Sequence, residues 1–255
     1  MIWPKPEVRI LGAPEELHWA AAEEFVGQAG QAVGEKGFFT VALSGGSTPR
    51  SLYSLLATGD RTPFRKQLAW DKVHFFWGDE RHVPPEHPDS NYRMALESML
   101  SKVPVPPENV HRIKAESPSA GKAADEYEGT LREFFKLSAE ELPRFDLVLL
   151  GLGPDGHTAS LFPGSEALHE SRRLVLAPWV EKFHAYRITL TPPILNNASS
   201  VIFLVSGQEK AETVQAILQA DPLSKRYPAQ LICPAQGRLL WLLDQAAASL
   251  LQRPA

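Results

Sequence analysis

Short runs that are apolar throughout alternate along this chain with longer stretches whose apolar residues recur at helical spacing. That alternation limits the fold more than any other feature. Phe38–Leu43, Lys72–Trp77 (KVHFFW), Phe145–Leu150 (FDLVLL) and Val201–Val205 read as strands, as do Arg173–Ala177, Arg187–Leu190 and Leu239–Leu243. Glu15–Val33 places Leu17, Ala20, Ala21, Phe25, Ala29, Ala32 and Val33 on one helical face. Pro49–Leu56, Tyr92–Leu100 (capped by Asp89 or Ser90), Ala120–Phe135, Glu209–Gln219 and a terminal Gln245–Leu251 read as further helices. Strands this apolar belong in a sheet covered on both faces. The expected class is α/β, a mostly parallel sheet with helices on both faces. No repeat or linker divides the chain, so residues 1–255 read as a single domain with room for a small lobe near 165–190.

Composition narrows the function classes. With 26 Lys+Arg against 30 Asp+Glu, the net charge is −4, which argues against nucleic acid as a partner. The chain is 44% hydrophobic and 22% charged, a globular balance. A lone cysteine, Cys233, forms no internal disulfide or thiolate metal cage and fits a reducing compartment. The opening MIWPKPEVRIL is interrupted by charges, and no stretch approaches the length of a membrane span. A cytoplasmic protein with no membrane partner is expected. Scattered apolar residues define no interface and leave the oligomeric state open, a monomer included.

Parallel sheets bind ligands outside the carboxyl ends of their strands. Three charged or glycine-rich loops fall at such ends. In Ser44-Gly45-Gly46-Ser47-Thr48-Pro49, glycines admit close approach of a ligand. Thr48 or Ser47 is placed to cap the next helix, with Pro49 in its first position. The free N–H groups there suit a phosphate, although a tight, well-capped turn needs no ligand. Trp77-Gly78-Asp79-Glu80-Arg81-His82 runs from a strand into an ionisable cluster, which alone reads as a loop ion pair. Gly151-Leu152-Gly153-Pro154-Asp155-Gly156-His157 sets a carboxylate two residues from an imidazole that could deprotonate water near neutral pH. Arg187 and Lys210 are cations on later elements. Lys210 opposes a helix dipole unless an anion is present. His74, His82, His87, His169 and His184 match no ligand spacing, so no metal is expected. His74, inside a strand, reads as a core or edge residue.

Taken together the loops resemble the 6-phosphogluconolactonase family, within the glucosamine-6-phosphate isomerase/deaminase superfamily. The resemblance rests on SGGSTP at Ser44–Pro49, WDKVHFFWGDERHVP at Trp70–Pro84 and DSNYRMA at Asp89–Ala95. FDLVLLGLGPDGHTASLFPG at Phe145–Gly164 is its most specific block. RITLTPP at Arg187–Pro193, SGQEKAE at Ser206–Glu212 and the late YPAQLI and WLLD segments continue it, so it covers roughly Val8 to Leu250. It implies a Rossmann-like α/β fold, no cofactor, and hydrolysis of a small-molecule sugar-phosphate lactone, 6-phospho-D-glucono-1,5-lactone, in the oxidative pentose phosphate pathway. By the same resemblance His157 is the general base and Asp155 orients it. Ser44, Gly45, Gly46, Ser47 and Thr48 cradle the phosphate with Lys210 and Arg187. Arg81 meets phosphate or the ester, and Asp79 meets sugar hydroxyls.

Two rival readings stand beside this one. The deaminases place a Glu five residues after the corresponding His, where this chain has Phe162, while Glu166 comes too late. A non-catalytic sugar-phosphate regulator needs a DNA-binding or partner module, and no spare helix-turn-helix remains once the elements are assigned.

Overall fold

The computed structural model describes residues 6–59, 62–219 and 227–252. In chain order the elements are β1 (Glu7–Leu11), α1 (Pro14–Lys36), β2 (Phe39–Leu43), α2 (Ser47–Ala57), α3 (Phe64–Gln67), β3 (Val73–Trp77), β4 (Asp79–Arg81), α4 (Asn91–Ser98) and α5 (Ala120–Phe135). They continue as β5 (Leu147–Leu150), β6 (Val175–Leu176), β7 (Trp179–Val180), β8 (Ala185–Leu190), α6 (Pro192–Asn197), β9 (Ser200–Val205), α7 (Ala211–Leu218) and β10 (Arg238–Asp244).

Six strands pair in the order β1-β10-β9-β5-β2-β3, and every pairing is parallel. All residues of β2, β5 and β9 are buried, which is why they lack the alternation of a half-exposed strand. Neighbouring strands also lock through their side chains. Phe203 of β9 stacks on its register partner Trp241 of β10 at 4.0 Å, a contact worth about 1 kcal/mol beyond its burial. Helix α1 packs against α2, β2 and β10. Among the described residues, no helix is long and apolar enough to cross a membrane.

The strand order creates a crevice. β2 and β5 are neighbours, but the chain leaves β2 toward β3 on one side and β5 toward β9 on the other. Outgoing connections that diverge in this way leave a gap above the carboxyl ends of the two strands. A second, antiparallel sheet in the order β4-β8-β6, with β7 on β8, stands beside that gap. Gly78 joins the sheets: its N–H donates to Leu43 O of β2, and its carbonyl accepts from Leu190 N of β8.

Three expectations change. The Asp79–Arg81 cluster is a strand, not a loop. Helix α2 begins at Ser47, so Gly46 is the N-cap and Pro49 stands third; neither Ser47 nor Thr48 caps it. Gln245–Leu251 forms turns instead of a helix: Asp244 starts a helical turn by taking the Ala247 N–H on its carboxylate and that of Ala248 on its carbonyl, but the bonds that follow, Ser249 N–H to Ala246 O and Leu251 N–H to Ala248 O, span three residues and the helix does not continue. So short a segment does not repay helix nucleation on its own.

Candidate active site

A cavity of about 290 Å³ occupies the crevice. Its lining comes from the Ser44–Pro49 turn after β2, Asp79 and Arg81 of β4, Asn91 at the start of α4, the Gly151–Ala159 turn after β5, and Ser206, Glu209 and Lys210 after β9. Of the residues picked from the sequence, Ser44, Gly45, Gly46, Ser47, Thr48, Asp79, Arg81, His157 and Lys210 all face this one space. Asp155 stands behind His157. Arg187 is not part of the lining; it lies on β8 in register with Arg81.

The first wall is an anion cradle by construction. Gly46 has φ of 108°, a conformation that L-residues rarely adopt, and it turns the chain from β2 into α2. The first intrahelical bond is Arg50 N–H to Gly46 O, leaving the N–H groups of Ser47 and Thr48 without intrahelical acceptors. The Ser44 hydroxyl is buried with no partner among the described residues. Its backbone is fixed by the buried Tyr53, whose hydroxyl accepts from Ser44 N and donates to Ser44 O.

The second wall carries two carboxylates with different tasks. Glu80 is buried, accepting the backbone N–H groups of Arg81, Asn91 and Tyr92 and the Ser90 hydroxyl. It therefore seats the amino end of α4, where the dipole favours an anion. Burial pushes its carboxyl upward, against those backbone donors. Asp79 is also buried but reaches the cavity; it accepts from the Ser160 hydroxyl at 2.6 Å, and its carbonyl accepts from Asn91 Nδ2. Arg81 is tethered by donating to the Asp89 carbonyl. Burial, with Arg81 alongside, lowers the Arg187 guanidinium from its ordinary value. Arg81 in the lining, with Arg187 next to it in register on β8, favours an anionic ligand.

The third wall holds the imidazole. His157 Nδ1 hydrogen-bonds Asp155 Oδ1, leaving Nε2 as the second ring nitrogen for the cavity. Its carbonyl accepts from Gly153 N at 2.8 Å, closing a tight turn. A Cβ at Gly153 would lie 1.9 Å from Nδ1, so only glycine lets the ring sit there. Phe162 stacks on the ring at 4.2 Å. Burial raises the Asp155 carboxyl, but hydrogen bonds from His157 and Lys182 and the imidazolium charge outweigh it and hold it at about 2. Asp155 is therefore anionic at neutral pH.

Several residues of the site carry no motif of their own. Asn91 and Ser160 fix Asp79. Asp244, at the end of β10, accepts from the Ser206 hydroxyl and Gly207 N, and so sets the turn that presents Lys210. Lys210 makes no ion pair among the described residues. Lys182, from the segment between β7 and β8, contacts Asp155. No three His, Cys, Asp or Glu side chains cluster as a metal site among the described residues. His74 lies in β3 at the sheet edge, hydrogen-bonded to His111 and packed on Phe134.

The profile of the family described as glucosamine-6-phosphate isomerases/6-phosphogluconolactonase matches residues 12–241. A 6-phosphogluconolactonase of Synechocystis is 45% identical over 217 residues, covering 85% of this chain and 86% of that protein. The structure of 6-phosphogluconolactonase from Trypanosoma cruzi superposes with a TM-score of 0.85 at 33% identity, covering 98% of each chain. A monomeric glucosamine-6-phosphate deaminase shares the fold with a TM-score of 0.80 at 20% identity, covering 96% of this chain and all of that one (100%).

Proposed function

The chain belongs to the family of glucosamine-6-phosphate isomerases and 6-phosphogluconolactonases and is a lactone-hydrolysing enzyme acting on 6-phosphogluconolactone in the pentose phosphate pathway; from that premise we propose how its residues divide the work. The supporting observation is that His157, backed by Asp155, and the open amino end of α2 share one cavity. The phosphate sits at that helix end, held by the N–H groups of Ser47 and Thr48, the Ser44 hydroxyl, the Gly45-Gly46 backbone and Lys210. Arg187 adds positive charge from beside Arg81. Asp79 accepts from sugar hydroxyls.

With Nδ1–H donated to Asp155, Nε2 of His157 is an acceptor and takes a proton from water. The oxygen attacks C1 and the carbonyl electrons move onto its oxygen, which Arg81 stabilises. Collapse breaks the bond from C1 to the ring oxygen, and the imidazolium returns its proton to that oxygen. Asp155 steadies the imidazolium without taking the proton. The deaminase reading has no acid to use at position 162, because Phe162 is packed flat on the imidazole. The reaction belongs in the cytoplasm on this reading, in keeping with the single Cys233.

Calorimetry of 6-phosphogluconate binding tests the phosphate assignment. A hydrogen bond to a charged group contributes about 1.5–3 kcal/mol, so Lys210→Ala should weaken product binding by about 10- to 150-fold. Unchanged affinity would remove Lys210 from the site.

A further inference from the structure

We propose that Lys182 is a positioning residue for this reaction: its ammonium holds the second oxygen of Asp155 and thereby sets how strongly that carboxylate pulls on the proton of the His157 ring. The inference rests on His157 acting as the base. Asp155 divides its two oxygens. Oδ1 takes His157 Nδ1, and Oδ2 takes Lys182 Nζ at 3.2 Å. An anion facing the ring alone would favour the imidazolium, which cannot act as a base; a cation on its far oxygen offsets that pull.

The contact crosses 27 residues and joins two separate parts of the fold. Lys182 sits in the single turn Glu181–Phe183, between β7 and β8. The turn closes at His184 with φ of 44°. The same turn reaches the ring a second way, since Phe183 packs edge-on against Phe162 at 5.8 Å and Phe162 stacks on His157. Lys182 Nζ also lies 5.6 Å from the Phe183 ring centroid. The turn thus touches both members of the pair, the carboxylate by charge and the imidazole through two aromatic rings.

Other charged groups surround the same space. Asp79 and Arg81 come from β4, and Glu209 and Lys210 from the segment after β9, while Arg187 of β8 lies outside the lining with its guanidinium over Phe183. Glu181, in the turn itself, is engaged by Trp179 Nε1 and His184. Among the described residues, Lys182 is the cation in contact with Asp155. Its side chain is half exposed, so solvent screens the effect and a shift of about half a unit to one unit is expected.

The test uses the full chain with Lys182→Met and Lys182→Arg. One readout is the NMR titration of the His157 ring, assigned by its loss in His157→Asn. The other is kcat/KM against pH. In Lys182→Met, the ring titration and the acid limb should both move to higher pH by about 0.5–1 unit. The loss of activity should deepen about three- to tenfold as the pH falls, and added salt should shrink the difference from wild type. Lys182→Arg should keep the wild-type profile. A ring titration unmoved in Lys182→Met, or moved equally by Lys182→Arg, would overturn the proposal. If the ring titration moves while the kinetic limb stays still, the coupling through Lys182 stands and His157 loses its place as the base.

Discussion

Gly153→Ala changes one hydrogen for a methyl group and touches no residue of the phosphate cradle, yet it should disable the chemistry. The new Cβ would lie 1.9 Å from His157 Nδ1, 2.0 Å from Cε1 and 2.8 Å from Asp155 Oδ1. Ordinary contacts to carbon are about 3.5 Å, so the ring must move by roughly 1.5 Å or leave its bond to Asp155. A misplacement of about 1 Å costs on the order of 100-fold in rate. Gly153→Ala should therefore lower kcat at least about 100-fold, measured on freshly generated lactone and corrected for spontaneous hydrolysis. Product affinity should stay within about threefold, because the added Cβ meets His157 and Asp155 and no residue of the cradle. A folded Gly153→Ala enzyme within threefold of wild-type kcat would refute the argument, since the ring would then not need its observed position.

Two further substitutions test the fold. Gly129 is exposed in α5 with nothing within 4 Å of an added Cβ, so Gly129→Ala should raise unfolding free energy by about 0.5–1 kcal/mol, read by urea denaturation. His111 is held at about 4, against an ordinary 6.5, by burial and by neighbouring His74. The unfolded chain takes up that proton first, so stability should fall as the pH drops from about 6.5 toward 4. Discounted for partial exposure, the loss is about 2 kcal/mol, and His111→Phe, which keeps the stack on Phe76, should flatten it in pH-dependent melts.

Burial and short-range periodicity made part of the fold legible. Ala120–Phe135 shows helical spacing after a serine, and α5 runs over those residues with Ser119 accepting from Lys122 N. β2, β5 and β9 read as strands because they are buried throughout. β1 escaped notice because it is an edge strand: Glu7 and Arg9 pair with Arg238 and Glu24, while Val8 and Ile10 face outward. The charged β4 looks like a loop locally and becomes a strand only through β8, about a hundred residues later. The same distance limit governs the site. The Ser44–Pro49 and Gly151–His157 turns each carry their chemistry within a few residues. Asp244 below Lys210, Ser160 on Asp79 and Lys182 on Asp155 act through contacts that no local pattern announces.

The assignment of His157 as the base is tested most directly by kcat against pH for wild type and His157→Asn, with circular dichroism to confirm folding. Asn occupies similar space and forms hydrogen bonds but takes no proton from water. General-base catalysis is worth about 10²–10⁴-fold, so kcat should fall by that much and the acid limb of the profile should vanish. A folded His157→Asn enzyme that keeps most of its kcat and the wild-type acid limb would contradict the account.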